Sequence, residues 1–273
     1  MPLFWLRVAV AFYGAGLAYA LIALLLRREA FSARVLAVLA PGWVLHGVAL
    51  VETIAMFGRG SLFSMHQSES LLGWLLMGVF LAMYLRYKTT SPGLFVIPAV
   101  FLLGLMAALG QAPPHFSSPI TRNWWIVAHV TLIFLGYAAL FLSFVSSLLY
   151  LLQERSLKSK RGLVSGALSR LPSLQTIDDM GYKTLLIGFP FITVGLIMGS
   201  VLAESNFGAD YFRDPKILLS VIVWIIYMGL LYSRWNSGWR GRKAAYFASF
   251  AFVAAVCAWA ANFVSGVHRY IGQ

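Results

Sequence analysis

Two histidines occupy positions where they could do chemistry together. His129 ends the run Trp124-Trp125-Ile126-Val127-Ala128-His129, and His268 lies in Gly266-Val267-His268-Arg269-Tyr270. Each is a lone imidazole at the edge of a long apolar run, flanked by aromatic rings and an arginine. A neutral imidazole offers one nitrogen lone pair to a metal. Two imidazoles facing each other across a small gap can hold a flat, metal-centred cofactor. Haem is the leading candidate, because its iron takes an axial ligand from each side. The sequence has a single cysteine, Cys257, inside an apolar run, and no Cys-x-x-Cys-His attachment motif. Haem would therefore be held non-covalently, as a b-type group, and no disulfide can form within the chain.

The neighbouring residues suit the same cofactor. Arg122, Arg269 or Arg59 could pair with the two propionates. Trp124, Phe207, Tyr211 and Phe212 could cover the ring faces. Trp125 is four residues before His129 and Gly136 seven after it, so all three share one helical stripe. The glycine would admit another helix or a flat ligand. The competing reading is an aromatic belt at the membrane surface, with both histidines as solvated boundary residues. His46 and Glu52 fall in or near a bilayer interior, where ionisable groups are costly and are functional candidates. They are six residues apart and so lie on different helix faces. His46 could ligate haem within the membrane or hydrogen-bond a neighbouring helix.

The elements that must position these residues follow from composition. Of 273 residues, 60% are hydrophobic and only 11% charged, with mean hydropathy +0.80. A soluble domain could not cover that much apolar surface, so the chain reads as an all-α, polytopic membrane protein. Crossing a hydrocarbon core of ~30 Å takes about 20 helical residues. Eight runs qualify or nearly so: 4–26, 35–57, 69–87, 93–110, 124–152, 182–202, 216–234 and 243–265. The fourth is the shortest and contains Pro98. The first continues to Leu26 and carries Arg27-Arg28 behind it, which fits a retained helix and not a cleaved leader. The runs do not alternate as barrel strands do.

Fifteen of the 21 Lys and Arg residues fall in one set of loops; Arg7, Arg59, Arg122, Arg213, Lys216 and Arg269 fall in the other. The basic side is cytoplasmic. Both termini then face outward, and so do His66, His115, His129 and His268, while His46 sits halfway through the second run. The net charge of +12 reflects those basic loops and not a nucleic-acid partner. The segment 153–181 reads as the longest cytoplasmic loop, with Asp178-Asp179 as a helix cap within it. No acid/base dyad, nucleophile triad, phosphate loop or zinc spacing appears. The expected role is therefore binding and presentation, with no bond-making by this chain alone.

Several motifs occur in order in the second half. They are His129-Val130 with Gly136-Tyr137-Ala138-Ala139-Leu140, Leu171-Pro-Ser-Leu174, Gly188-Phe-Pro-Phe-Ile-Thr-Val-Gly-Leu-Ile-Met-Gly199, Asp214-Pro215-Lys216, Trp224-Ile-Ile-Tyr227, Gly238-Trp-Arg-Gly-Arg242 and Val267-His268-Arg269-Tyr270. With these the chain resembles the CcsA-type cytochrome c assembly proteins. The match is strongest over 120–272, with Glu69-Ser70-Leu71 a weaker point in the first half. The resemblance implies one integral-membrane domain over 1–273 in a bacterial inner (cytoplasmic) membrane. It implies haem held at the outer face between His129 and His268, beside an outer loop running from Phe207-Gly208 to Asp214-Pro215-Lys216. It also implies a ResB-like membrane partner that holds the apocytochrome. Phe207, Tyr211 and Arg213 stand where the family usually has tryptophan, Ile217 where it has glutamate, and Tyr232 where haem-lyase members carry a membrane histidine. These departures resemble the HemX-like or YpjD-like branch, which implies a regulator or scaffold of haem biosynthesis as the alternative. A transporter of another solute, using His46 and Glu52, is the third expectation.

Overall fold

The computed structural model describes residues 2–25, 34–110, 124–158, 171–261 and 265. Among these residues there are eight α-helices. They are α1 (Pro2–Leu25), α2 (Arg34–Phe57), α3 (Met65–Tyr87), α4 (Gly93–Leu109), α5 (Trp124–Lys158), α6 (Leu174–Phe207), α7 (Pro215–Asn236) and α8 (Arg242–Ala260). Short 3-10 helices at Arg59–Phe63 and Gly208–Arg213 lead into α3 and α7. All but α4 are long and apolar enough to span a membrane. The 17 residues of α4 reach about 25 Å at 1.5 Å per residue. The chain is a polytopic, all-helical membrane protein.

Helices α1 to α4 pack as one group, with α1 against α2 and α4, and α3 against α2 and α4; α5 to α8 pack as a second, and α3 meets α5 between them. One buried cluster crosses that joint, running from Tyr13 and Leu39 through Phe80 to Leu142 and Met180. In lipid the hydrophobic effect does not drive helices together, so close packing and interhelical hydrogen bonds must do so. Both are visible. Trp43 on α2 and Trp74 on α3 stack at 5.2 Å with planes 5° apart. Each indole N–H donates to the other residue's carbonyl, at 3.0 and 3.1 Å. Gly47 and Gly78, each one turn after a tryptophan, supply the space: a Cβ on either would stand 3.1–3.2 Å from the opposite indole nitrogen.

The seam between α5 and α6 is built of glycine. Gly181, Gly188 and Gly195 recur every seven residues along α6, with Gly199 one turn further. A Cβ on Gly188 would meet Ala139 at 2.7 Å, and one on Gly195 would meet Ile133 at 2.8 Å. From the α5 side, Gly136 lies against Ile192. The neighbour admitted by Gly136 is therefore a helix.

Helix α6 begins eight residues before the run 182–202 that hydropathy marks. Its cap is Ser173, whose hydroxyl accepts the Thr176 N–H at 3.2 Å, so Asp178 and Asp179 are interior to the helix and do not cap it. They hold the basic end of the bundle together. Asp178 takes both guanidinium nitrogens of Arg234 at 3.1 and 2.8 Å and the Gly241 N–H at 3.1 Å. Asp179 takes the Tyr87 hydroxyl at 3.1 Å and Lys183 at 2.8 Å. These pairings let a polar stretch stay helical, which apolar-run counting could not register.

Candidate functional site

At the opposite end from those aspartates, α5 starts at Trp124 and carries His129 in its second turn. Trp124 and Trp125 stack on each other at 4.9 Å and remain open to the surroundings. His129 is half-buried against α6. Its Nδ1 lies 2.6 Å from the Gly195 carbonyl oxygen. A carbonyl can only accept, so in the neutral ring Nδ1 carries the proton and donates. Nε2 is then left with its lone pair. The ring rests where Gly199 has no side chain: a Cβ there would overlap it, with Nδ1 2.8 Å and Nε2 3.2 Å away.

That turn of α6 is tied to α7. The Thr193 hydroxyl donates to the Phe189 carbonyl at 2.8 Å and accepts the Trp224 indole N–H at 2.9 Å. Trp224 also stacks on Phe189 at 5.7 Å.

The loop between α6 and α7 follows directly. Helix α6 ends at Gly208, whose φ of +66° suits a residue without a side chain. In the 3-10 turn, Tyr211 is buried and Phe212 exposed, their rings 4.1 Å apart. Arg213 pairs with Asp210 at 3.5 Å on the open surface. Asp214 caps α7 by accepting the Lys216 N–H at 2.9 Å, with Pro215 in the first turn, where a missing N–H costs nothing. The Asp214 carboxylate also receives the Ser265 hydroxyl, at 3.0 and 2.9 Å from its two oxygens.

The structure thus gathers His129, Trp124, Trp125, Tyr211 and Asp214 at one end of the second helix group. For Phe207 only the backbone is described, at the close of α6. His268, Arg269, Arg122 and His115 lie outside the described residues; Ser265, three positions before His268, is the nearest point that is placed. His46 is elsewhere, fully buried in the first group. Its Nδ1 is 3.3 Å from the Tyr13 hydroxyl and its Nε2 2.8 Å from the Ser70 hydroxyl. Both ring nitrogens are engaged, as befits the hydrogen-bonding reading of that residue. His66 sits at the N-terminal end of α3, packed on Gly110 and 3.7 Å from Glu69.

Sequence reasoning quoted Thr193, Gly195 and Gly199 only as part of the Gly188–Gly199 motif, with no role for any of them, and did not single out Ser265. The seven-residue glycine spacing on α6 was the available signal for Gly195, and the further glycine one turn on for Gly199. Nothing in the sequence marks Ser265 as the partner of Asp214.

The profile of the cytochrome C assembly protein family matches residues 43–268. The cytochrome c biogenesis protein CcsA of Guillardia theta is 29% identical over 236 residues, covering 78% of this chain and 77% of its own. The protein of the same description from Heterosigma akashiwo is 30% identical over 241 residues, covering 74% of each chain. That of Pyropia yezoensis is 29% identical over 272 residues, with 83% and 85% covered.

Proposed function

We propose that this chain, which belongs to the cytochrome c assembly protein family, binds haem at its outer face and presents it for cytochrome c assembly. The observation that carries the reading is His129. Its Nδ1 is spent on the Gly195 carbonyl, so Nε2 is the free donor atom for an iron. Among the described residues no three His, Cys, Asp or Glu side chains converge on a common point. Haem, when bound, would supply an iron that takes imidazole nitrogen donors. The chain's part would be to bind and orient it through His129 and His268. Trp124 and Trp125 offer open rings beside it, and Arg122 and Arg269 cations for its propionates. A ResB-like membrane protein is the proposed partner that holds the apocytochrome.

The test is an absorption spectrum of the detergent-purified protein. The reduced protein should show a six-coordinate, low-spin haem. His129→Ala and His268→Ala should each give a five-coordinate form or release the haem, and His46→Ala should leave the spectrum unchanged. A signal lost in His46→Ala but intact in both other variants would put the haem inside the first helix group and overturn this reading.

The loop favours a second reading, a HemX-like regulator or scaffold of haem synthesis. Tyr211 and Arg213 stand where the family usually has tryptophan, and the Tyr211 ring is buried instead of open for stacking. Deleting the gene separates the two. Loss of covalent haem staining on c-type cytochromes supports assembly; normal staining with altered haem content supports regulation.

A further inference from the structure

We infer that Gly195 and Gly199 are positioning residues that fix both the tautomer and the ring plane of His129, and so select Nε2 as its ligating atom. This rests on the haem reading for its purpose, though not for its first test. Three observations carry it. The Gly195 carbonyl accepts from Nδ1 at 2.6 Å, so the proton is committed to that nitrogen. The missing side chain of Gly199 is the space the ring fills, since a Cβ there would overlap the imidazole. The turn of α6 just before Gly195 is tied to α7, where the Thr193 hydroxyl accepts the Trp224 indole N–H at 2.9 Å.

The consequence is chemical as well as geometric. A ligand imidazole that donates its second N–H to a carbonyl is a stronger donor to the metal and cannot rotate freely. Side-chain torsions alone would leave His129 a choice of rings and nitrogens. The α6 backbone removes that choice before any cofactor arrives. Helix α6 therefore acts on the site through His129 without touching the iron, which explains why two glycines one turn apart stand opposite a histidine.

The first test needs no haem. In cofactor-free protein with 15N-labelled histidine, the His129 side-chain shifts should report the tautomer protonated at Nδ1. The Nε2-protonated form, or rapid exchange between the two, would overturn the inference. The second test uses His129→Gly with exogenous ligands. Imidazole can refill the cradle and donate to the Gly195 carbonyl; N-methylimidazole has no N–H to donate. One hydrogen bond is worth on the order of 1 kcal/mol, so imidazole should restore the low-spin spectrum at roughly fivefold to tenfold lower concentration. Equal potency would overturn the role of Gly195. Adding Gly199→Ala to His129→Gly should weaken imidazole rescue further while size-exclusion profile and helical circular dichroism stay unchanged; undiminished rescue would overturn the role of Gly199. If wild-type protein carries no haem yet His129 is protonated at Nδ1, the functional reading fails and this one survives.

Discussion

At the residue scale the two informative histidines differ in what their nitrogens can still do. His129 has one nitrogen committed to a backbone carbonyl and one lone pair left. His46 has hydroxyl partners on both sides. Its job is then to satisfy Tyr13 and Ser70 in the fully buried interior of the first helix group. Removing one partner leaves such groups unpaired, at a cost of about 1–3 kcal/mol. His46→Ala should therefore lower the thermal midpoint of the detergent-solubilised protein clearly while sparing the haem spectrum. An unchanged midpoint would show that the Tyr13–His46–Ser70 chain contributes nothing to stability. Asp214 makes a different prediction. It caps α7 and clasps Ser265. Loss of a cap costs about 1 kcal/mol, and asparagine serves nearly as well. Asp214→Ala should destabilise the protein, and Asp214→Asn should come close to wild type. If both variants lose haem while both melt like wild type, the carboxylate acts on the cofactor and not on the fold. Of these roles, the candidacy of His129 and Asp214 was readable from aromatic and Asp-Pro-Lys context. The partners were not, because a backbone carbonyl and a distant serine leave no pattern in a sequence.

At the element scale, the number and order of helices followed from hydropathy alone, since continuous apolar runs have no other satisfied form in lipid. Their lengths did not. Helix α6 starts at Leu174 because Asp178 and Asp179 find Arg234 and Tyr87 across the bundle and Lys183 one turn along their own helix, and apolar-run counting reads such residues as loop. The packing was legible only as glycine spacing, which does not say which partner helix it faces. The structure makes that spacing testable. Gly188 stands against Ala139 and the Gly136 carbonyl, at 2.7 and 3.3 Å from where its Cβ would be. Gly188→Val must push two helix backbones apart, and overpacking of this kind costs about 1–3 kcal/mol. Gly229 has nothing within 4 Å of its Cβ position. Gly229→Ala should be neutral or stabilising by up to about 1 kcal/mol, from helix propensity. Thermal unfolding of the two variants side by side checks the seam. Equal midpoints would mean that α5 and α6 do not approach as closely as described.

At the scale of the whole molecule, the core shared between Ala138, Leu142 and Met180 of the second group and Tyr13 and Phe80 of the first supports the proposal that residues 1–273 act as one membrane unit. The proposed orientation rests on where cations sit and not on how helices pack. The structure groups the loops as that rule requires. Tyr87, Asp178, Arg234 and Gly241 meet around the start of α6, which puts the ends of α3 and α7 on one side with Arg86, Lys88, Lys158 and Arg242. Asp214 and Ser265 meet at the other, which puts Ser265 beside the α6–α7 loop. If the eight described helices are the crossings and alternate in direction, Pro2 and Ala260 lie on the same side. Cytoplasmic retention of the basic side then predicts the outcome of reporter fusions. A reporter joined after Lys158 should be active only if it works in the cytoplasm, and one joined at Gln273 only if it works outside. The second fusion bears on the site itself. His268 is five residues from Gln273 and three from Ser265, so it spans at most ~11 Å of chain from the Asp214 clasp. A cytoplasmic signal at Gln273 would separate the two histidines from any outer-face chemistry. The proposed haem site would then have to be abandoned even if the purified protein were found to bind haem.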